Sequence, residues 1–474
     1  MENGIKTLTD GILERITPKE DERAKVNALS HKIEQRIIKA CESENIVATV
    51  RVEGSVAKDT WVSGTPDVDV FIRLPASIPR KNLGEVGLKI AKKAAGTAEQ
   101  LERYAEHPYL EISMDGYHID IVPCYDVKLD KRQSATDRTP YHTDYIKTHL
   151  KQSLHGDVRL LKQFMHGINV YGAEIRIGGF SGYLCELLVI NFGSFTKTIE
   201  AFAKFNKRMV IDSENYYKDR QRDLNLVFNE PLVVIDPVDK GRNVASAVKP
   251  QKLYEFIAAS RAFLKQPKEE FFFPPTTKPP PSEVLKKEVT MRGSDLIFLI
   301  IKQKPTVPDV LWGQLYRTQR SLSQLLQLHD FNVLKDTVWS NEKNLSIFTF
   351  ELEQKVLPNN KKHTGPPLEK REECEKFLAK YLTNKQVISG PYIKDQHWIV
   401  QAPRKINDAT TLLKSKLEDG GKKVGVSELI AEAIKTKYEI QNNNEILNVY
   451  LENKDFAEFL TEFLSGKPFW LKTH

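Results

Sequence analysis

Five prolines fall within the eleven residues from Phe271 to Pro281. Neither a helix nor a central strand can run through them, because each proline removes a backbone N–H and fixes φ. A chain of 474 residues is therefore cut into at least two bodies. A prior of about 150 residues per domain asks for roughly three. The pattern changes once more near residue 150, where short apolar runs give way to helical spacing. We expect three domains, 1–150, 151–275 and 276–474, the first two separable only by that change of period.

The first of these reads as α/β. Thr17-Pro18-Lys19-Glu20 has the makings of a helix start, with Thr as cap, Pro in the first turn and Glu closing a capping box, and the helix is expected to reach about Cys41. Ile46 to Val52, Val68 to Ile72, Leu110 to Met114 and Tyr117 to Val122 read as strands bounded by Gly, Pro or Asp. Leu83 to Tyr104 is Ala- and Lys-rich with helical spacing. From Asp144 to Lys207 the apolar residues recur every three or four positions, as in Val158, Leu161 and Phe164, which predicts a mainly helical second domain. Beyond the prolines, strands at Leu296 to Lys302, Leu345 to Glu353 and His397 to Gln401 alternate with helices at Trp312 to Leu328 and Leu368 to Tyr381, so the third domain is α+β.

Charge and cysteine usage narrow the setting without naming an activity. Lys and Arg number 70 against 63 Asp and Glu, a formal charge of +7. That balance is compatible with a polyanionic partner and decides little on a chain this long. Cys41, Cys124, Cys185 and Cys374 lie far apart with no C-x-x-C pair, which indicates neither a zinc knuckle nor a disulfide framework and suits a reducing, cytoplasmic compartment. Met1 to Lys6 has no basic stretch leading into an apolar one, and the longest aliphatic runs fall far short of the ~20 residues needed to cross a bilayer. No membrane association is expected.

The stretch from Gly54 to Ile72 carries the chemistry. Gly54-Ser55 follows an expected strand and opens a helix, offering backbone amides and a hydroxyl to a phosphate. About twelve residues on, Asp67-x-Asp69 begins an apolar run. The two-residue period of a strand puts both carboxylates on one face, roughly 6.5 Å apart at the backbone. A third acid, Asp120, stands between Ile119 and Ile121 in an alternating strand, and pairing of the two strands would bring all three together. Such a patch suits two Mg²⁺ ions about 3.5–4 Å apart, one at an attacking hydroxyl and one at a triphosphate, which is nucleotidyl-transfer chemistry. Separately, a Gly-Ser dipeptide or an Asp-x-Asp pair on a solvated strand face signals little. Their conjunction at this spacing resembles the polymerase-β-type nucleotidyltransferases.

Further blocks sharpen the resemblance. Asp137 to His142, Leu160 to Phe164, Gly167 to Glu174, Gly179 to Leu188 and Asp236 to Ala245 are similar to successive blocks of the class I, archaeal-type CCA-adding enzymes, as are His363 to Pro367 and Gly390 to Tyr392. The resemblance implies a polymerase-β-type catalytic domain, a mainly helical central domain, and an α+β, RRM-like C-terminal body with a small helical tail within about residues 303–343. It implies template-independent building or repair of the 3′-terminal CCA of tRNA from CTP and ATP, with release of pyrophosphate. Carried over position by position, Asp67, Asp69 and Asp120 would hold Mg²⁺, Asp120 also helping to activate the tRNA 3′-hydroxyl. Ser55, Lys58, His142, Lys162 and Tyr171 would contact the nucleotide and its phosphates, and Arg242 would read the base. Lys58 stands where Arg is common in the family and Asp67 where Glu is common. Lys keeps the charge of Arg without its bidentate fork, and Asp is one methylene shorter than Glu. We expect activity to survive both changes.

Rival readings are weaker. A poly(A) polymerase or oligoadenylate synthetase would share the carboxylates, but not the blocks at Asp137 to His142 and Asp236 to Ala245. An RNA-binding protein on a decayed transferase fold would not need all three acids. His149 and His155, six residues apart on a helix, point to different sides and do not form a metal pair. Six basic residues between Gln401 and Lys423 are a candidate phosphate-contacting surface, because a protein that accepts every tRNA should grip the A-form backbone. Oligomeric state is left open, a homodimer included.

Overall fold

The computed structural model describes residues 2–64, 66–104 and 107–471. The chain forms two compact units, one of residues 1–276 with 467–474, the other of residues 277–466. The division falls inside the proline-rich stretch.

The first unit begins with two helices, α1 (Glu2–Ile16) and α2 (Glu20–Ser43). A helix does start in the expected stretch, at Glu20, and runs just past Cys41 to Ser43, but Thr17 is not its cap. The Thr17 N–H bonds to the Leu13 carbonyl and so closes α1, Pro18 separates the helices, and α2 starts after Lys19 with no side-chain cap. Helix α1 was not legible in advance, because Gly4 and Gly11 dilute its propensity, yet Ile5, Ile12 and Ile16 are buried on one side of it.

A five-stranded sheet follows, built from β1 (Thr49–Val52), β2 (Asp67–Leu74), β3 (Glu99–Tyr104), β4 (Pro108–Met114) and β5 (Tyr117–Tyr125) in the order β1-β2-β5-β4-β3. Only β2 and β5 run parallel. Between β1 and β2 lies the single turn α3 (Gly54–Ala57), and between β2 and β3 lies α4 (Arg80–Ala95). The long helix expected as far as Tyr104 stops at Ala95, because Gly96 turns the chain at φ +62° and the next residues pair with β4 instead. Val68, Val70, Ile72, Ile119, Ile121, Leu110 and Ile112 form one core with the inner sides of α2 and α4. Strand alternation then leaves Asp67, Asp69, Asp120 and Glu111 on the other face.

The rest of this unit packs α5 (Thr139–His149), α6 (His155–Gly167), α7 (Gly182–Phe192) and α8 (Phe195–Ala203) with β6 (Met209–Ile211), α9 (Gln221–Val227), β7 (Leu232–Asp236), β8 (Asp239–Asn243) and α10 (Pro250–Lys265). Strands β6, β7 and β8 form a small sheet in that order. Phe164 sits at the centre of this second core, with the rings of Phe195, Phe256, Phe263, Phe271 and Phe272 around it. The chain's last described turn returns here, where Trp470 stacks on Phe271.

The second unit is organised on a β-α-β-β-α-β plan. Helix α11 (Ser282–Met291) precedes β9 (Asp295–Lys302), α12 (Pro308–Leu328), β10 (Val333–Ser340) and β11 (Leu345–Leu352). An inserted three-stranded sheet follows, made of β12 (Asn360–Pro367), β13 (Ser389–Lys394) and β14 (His397–Pro403) with α13 (Arg371–Tyr381) before β13. The plan resumes with α14 (Ala409–Leu417), α15 (Glu428–Thr436) and β15 (Tyr438–Asn442) and closes with α16 (Leu447–Glu452) and α17 (Lys454–Ser465). Its main sheet runs β10-β11-β9-β15, the split βαβ order expected of an RRM-like body. Residues 303–343, where a helical tail was expected, instead supply α12 and β10 of this layer. Both faces of the sheet are covered. Ile297, Leu299 and Ile301 join a core with α12, α14 and α15, and Leu296, Phe298 and Ile300 join another with α11, α16 and α17. Among the described residues no helix is long and apolar enough to cross a membrane.

Candidate active site

Parallel pairing of β2 with β5 sets Asp69 directly opposite Asp120, and Asp67 opposite His118. Antiparallel β4 adds Glu111 opposite Asp120, and Arg103 on β3 holds Glu111 through two bonds of 2.9 and 3.2 Å. The three acids named from the sequence therefore share the face of one sheet that is turned away from the core with α2 and α4. Enclosure by the protein pushes the Asp69 carboxyl up to about 6, with the charge of Asp67 adding to it. Enclosure and then Asp69 and Glu111 push Asp120 up to about 7. Crowded carboxylates of this kind are stabilised by cations, and oxygen-only donors suit a hard divalent ion. Among the described residues no three His, Cys, Asp or Glu side chains stand close enough to hold an ion by themselves. The acids would have to draw together around it.

Gly54 closes this face from the side. Its φ is +65°, and a Cβ placed there would lie 1.8 Å from Asp69 Oδ2 and 2.7 Å from Asp69 Cγ. The glycine is thus required twice, by its backbone and by the carboxylate that occupies the space a side chain would fill. The Glu53 N–H bonds to the Asp69 carbonyl at 2.8 Å, fixing the turn to the strand. Ser55 follows in α3, and its carbonyl accepts the Thr60 N–H at 3.0 Å.

Lys58 and Lys162 meet at a buried carboxylate that the sequence did not single out. Lys58 Nζ lies 2.6 Å from Glu186 Oε2, and the Thr60 hydroxyl donates to Glu186 Oε1 at 2.5 Å. Lys162 Nζ donates to the Thr60 carbonyl and hydroxyl at 3.0 and 3.1 Å and stands 3.5 Å from Glu186 Oε1. Burial opposes charge on Glu186, but the two ammonium groups overrule it and hold its carboxyl below the usual range. Burial in turn pushes the Lys162 amine down from the usual lysine range, with Glu186 pulling the other way. Tyr171 packs against His166 with ring centroids 4.1 Å apart, and its hydroxyl occupies the space where a Gly182 side chain would stand.

A second buried acid, Asp236 at the end of β7, gathers His142 and Arg242. Its Oδ2 lies 2.9 Å from His142 Nε2 and 2.8 Å from an Arg242 terminal nitrogen. The His142 ring stacks on Tyr183 at 4.1 Å, and Lys58 Nζ stands 5.8 Å from the centre of that tyrosine ring. A continuous polar set therefore runs from Arg242 through His142 and Tyr183 to the lysine pair.

Three family models match in chain order. Residues 34–142 match a nucleotidyltransferase domain, 156–273 the second domain of tRNA nucleotidyltransferases, and 292–443 the C-terminal domain of CCA-adding enzymes. The chain is 39% identical over 456 residues to the CCA-adding enzyme of Methanosarcina barkeri, covering 96% of this chain and 97% of that one. It is 35% identical over 465 residues to the CCA-adding enzyme of Methanothermobacter thermautotrophicus, with the same coverage. The chain belongs to the archaeal-type CCA-adding enzymes.

In this CCA-adding enzyme, Glu186 and Asp236 are the residues that sequence reasoning passed over. Glu186 had a visible signal, a single acid within the otherwise apolar run Leu184 to Ile190, since a buried carboxylate demands a partner. Asp236 had none. It lies in a strand whose other residues are all buried aliphatics, and its partners come from positions 94 residues before it and six after. His149 and His155 do not form a pair. His149 stacks on Tyr145, while His155 faces Asp59 at 3.4 Å.

Proposed function

We propose that this CCA-adding enzyme works through the carboxylate-bearing face of the five-stranded sheet, with Asp67, Asp69 and Asp120 holding Mg²⁺. The observation that carries this reading is the register pairing of Asp69 with Asp120 beside a glycine whose missing side chain leaves room for the Asp69 carboxylate. Bound there, a pair of divalent cations would supply activation of the attacking hydroxyl and neutralisation of the triphosphate. The tRNA 3′-oxygen bonds to the α-phosphorus of CTP or ATP, the bond to pyrophosphate breaks, and Asp120 orients the hydroxyl for that attack. No nucleic-acid template takes part. Ser55, Lys58 and Lys162 hold the phosphates, with Glu186 fixing the two amines in place. Lys58, paired with Glu186, serves by charge without a bidentate fork. Tyr171 and His142 contact the nucleotide, and Arg242 reads its base.

Incubation with Mg²⁺, CTP and ATP, separately and together, on tRNAs ending before C, at C, at CC and at CCA tests this. Addition stops at CCA. Unlimited addition of A would instead mark a poly(A) polymerase, and no incorporation at all would end the enzyme reading.

The second unit supplies the grip on tRNA in this reading. Its sheet has no open face, so contact falls to surface cations and backbone phosphates, among them the basic residues between Gln401 and Lys423. Affinity for tRNA then falls steeply with salt, with a log–log slope near −0.9 per phosphate neutralised. A flat plot would contradict a backbone-dominated grip. The four cysteines are all buried and free, in keeping with a reducing cytoplasm.

A further inference from the structure

Asp236 is fully buried and accepts four hydrogen bonds. His142 Nε2 and an Arg242 terminal nitrogen approach its Oδ2, while the Tyr183 hydroxyl and the Val238 N–H approach its Oδ1 at 3.2 and 3.1 Å. Burial alone would favour the neutral acid, but His142, Arg242 and the Val238 amide overrule it and hold the carboxyl down to about 2. An ionised carboxylate only accepts, so the His142 proton sits on Nε2 and Nδ1 is left as an acceptor. Burial also holds the His142 ring toward its neutral form. Stacking on Tyr183 fixes the plane of the ring, and Tyr183 is itself fixed by Asp236.

The Arg242 side chain is 31% exposed while Asp236 is closed off. Its guanidinium is thus anchored on the inner side and free to donate on the outer one. A single buried acid consequently sets the direction of one donor group, the tautomer of one ring and the tilt of a second.

We propose that Asp236 is a positioning residue for nucleotide selection: it touches no nucleotide, yet the choice of cytosine and adenine over uracil and guanine depends on it through Arg242 and His142. This rests on the reading of those two residues given above.

The test measures kcat and KM for each of CTP, ATP, UTP and GTP on tRNA ending before C and at CC, using Asp236→Asn, Arg242→Ala and the double variant. In Asp236→Asn, KM for CTP and ATP rises roughly 10-fold or more, kcat changes less, and relative use of UTP and GTP rises about 10-fold, because the loss is in binding geometry. The double variant loses less selectivity than the two single variants combined, because Arg242→Ala has already removed one of the two groups through which Asp236 acts. If Arg242→Ala shifts the ratios while Asp236→Asn leaves them unchanged, or if kcat alone falls, the proposal is overturned. If Arg242→Ala also leaves the ratios unchanged, the reading of Arg242 fails and takes this inference with it. Should Asp236→Asn not fold, Tyr183→Phe removes one donor and keeps the carboxylate. A two- to five-fold rise in relative UTP and GTP use then supports the proposal, and unchanged ratios overturn it.

Discussion

Changing Asp120 to alanine abolishes CMP and AMP incorporation, by about 10³-fold or more in kcat, and leaves tRNA affinity within about threefold of the parent. The size follows from removing one corner of a metal clamp worth several kcal/mol to the transition state, at about 1.4 kcal/mol per tenfold. Two features separate this loss from unfolding. Among the described residues, no hydrogen bond or ion pair uses the Asp120 side chain, and its removal relieves repulsion with Asp69 and Glu111. The variant should therefore melt no lower than the parent and bind a polyanion at least as well. Single-turnover incorporation and filter binding, run side by side, read both quantities. Residual activity within tenfold of the parent would remove Asp120 from the mechanism.

The second large effect is expected from a methyl group. In Gly54→Ala the new Cβ collides with Asp69 Oδ2 and Cγ, and the backbone must hold φ +65° with a side chain present. Positive φ costs a non-glycine residue on the order of 1–3 kcal/mol. The collision is resolved at the Asp69 carboxylate, because that is the movable partner. We expect a folded protein with a lowered melting temperature, kcat reduced about 10²–10³-fold, and a raised Mg²⁺ requirement, consistent with the sensitivity of catalysis to displacements near 1 Å. A melting shift without a change in Mg²⁺ dependence would place the damage in the fold alone.

What the sequence disclosed followed the range over which each signal acts. Asp67, Asp69 and Asp120 were legible because a strand's period of two assigns faces without reference to any other part of the chain, and Val68, Val70, Ile119 and Ile121 fill the opposite core accordingly. The family resemblance came from blocks that are contiguous along the chain. The capping box at Thr17 misled because Thr17 ends a helix that glycines had obscured, so the same residue was needed by the preceding element. The strand at Glu99–Tyr104 was lost in an Ala- and Lys-rich run because its identity depends on a partner, β4. Glu186 and Asp236 could not be assigned partners at all, since ion pairs spanning 128 and 94 residues exist only after folding. Of the inserted sheet at residues 360–403 only one strand, β14, was foreseen, at His397 to Gln401. The other two, β12 and β13, carry Gly, Pro and Lys in place of an apolar alternation, and what distinguishes them from loops is pairing with β14.

Strand β9 answers to a different core at every second residue. From Leu296 to Ile301 each side chain is buried, odd positions on one face and even positions on the other. A sheet that reads RNA keeps one face free for bases to lie on aromatic rings. Here mutation cannot recruit such rings without emptying a core, at a cost of several kcal/mol for each large side chain removed. A stacking platform on this sheet is thus excluded by the packing that stabilises it. A variant that gained preference for one tRNA would have to acquire it at the rim or in the inserted sheet, where substitutions are cheap.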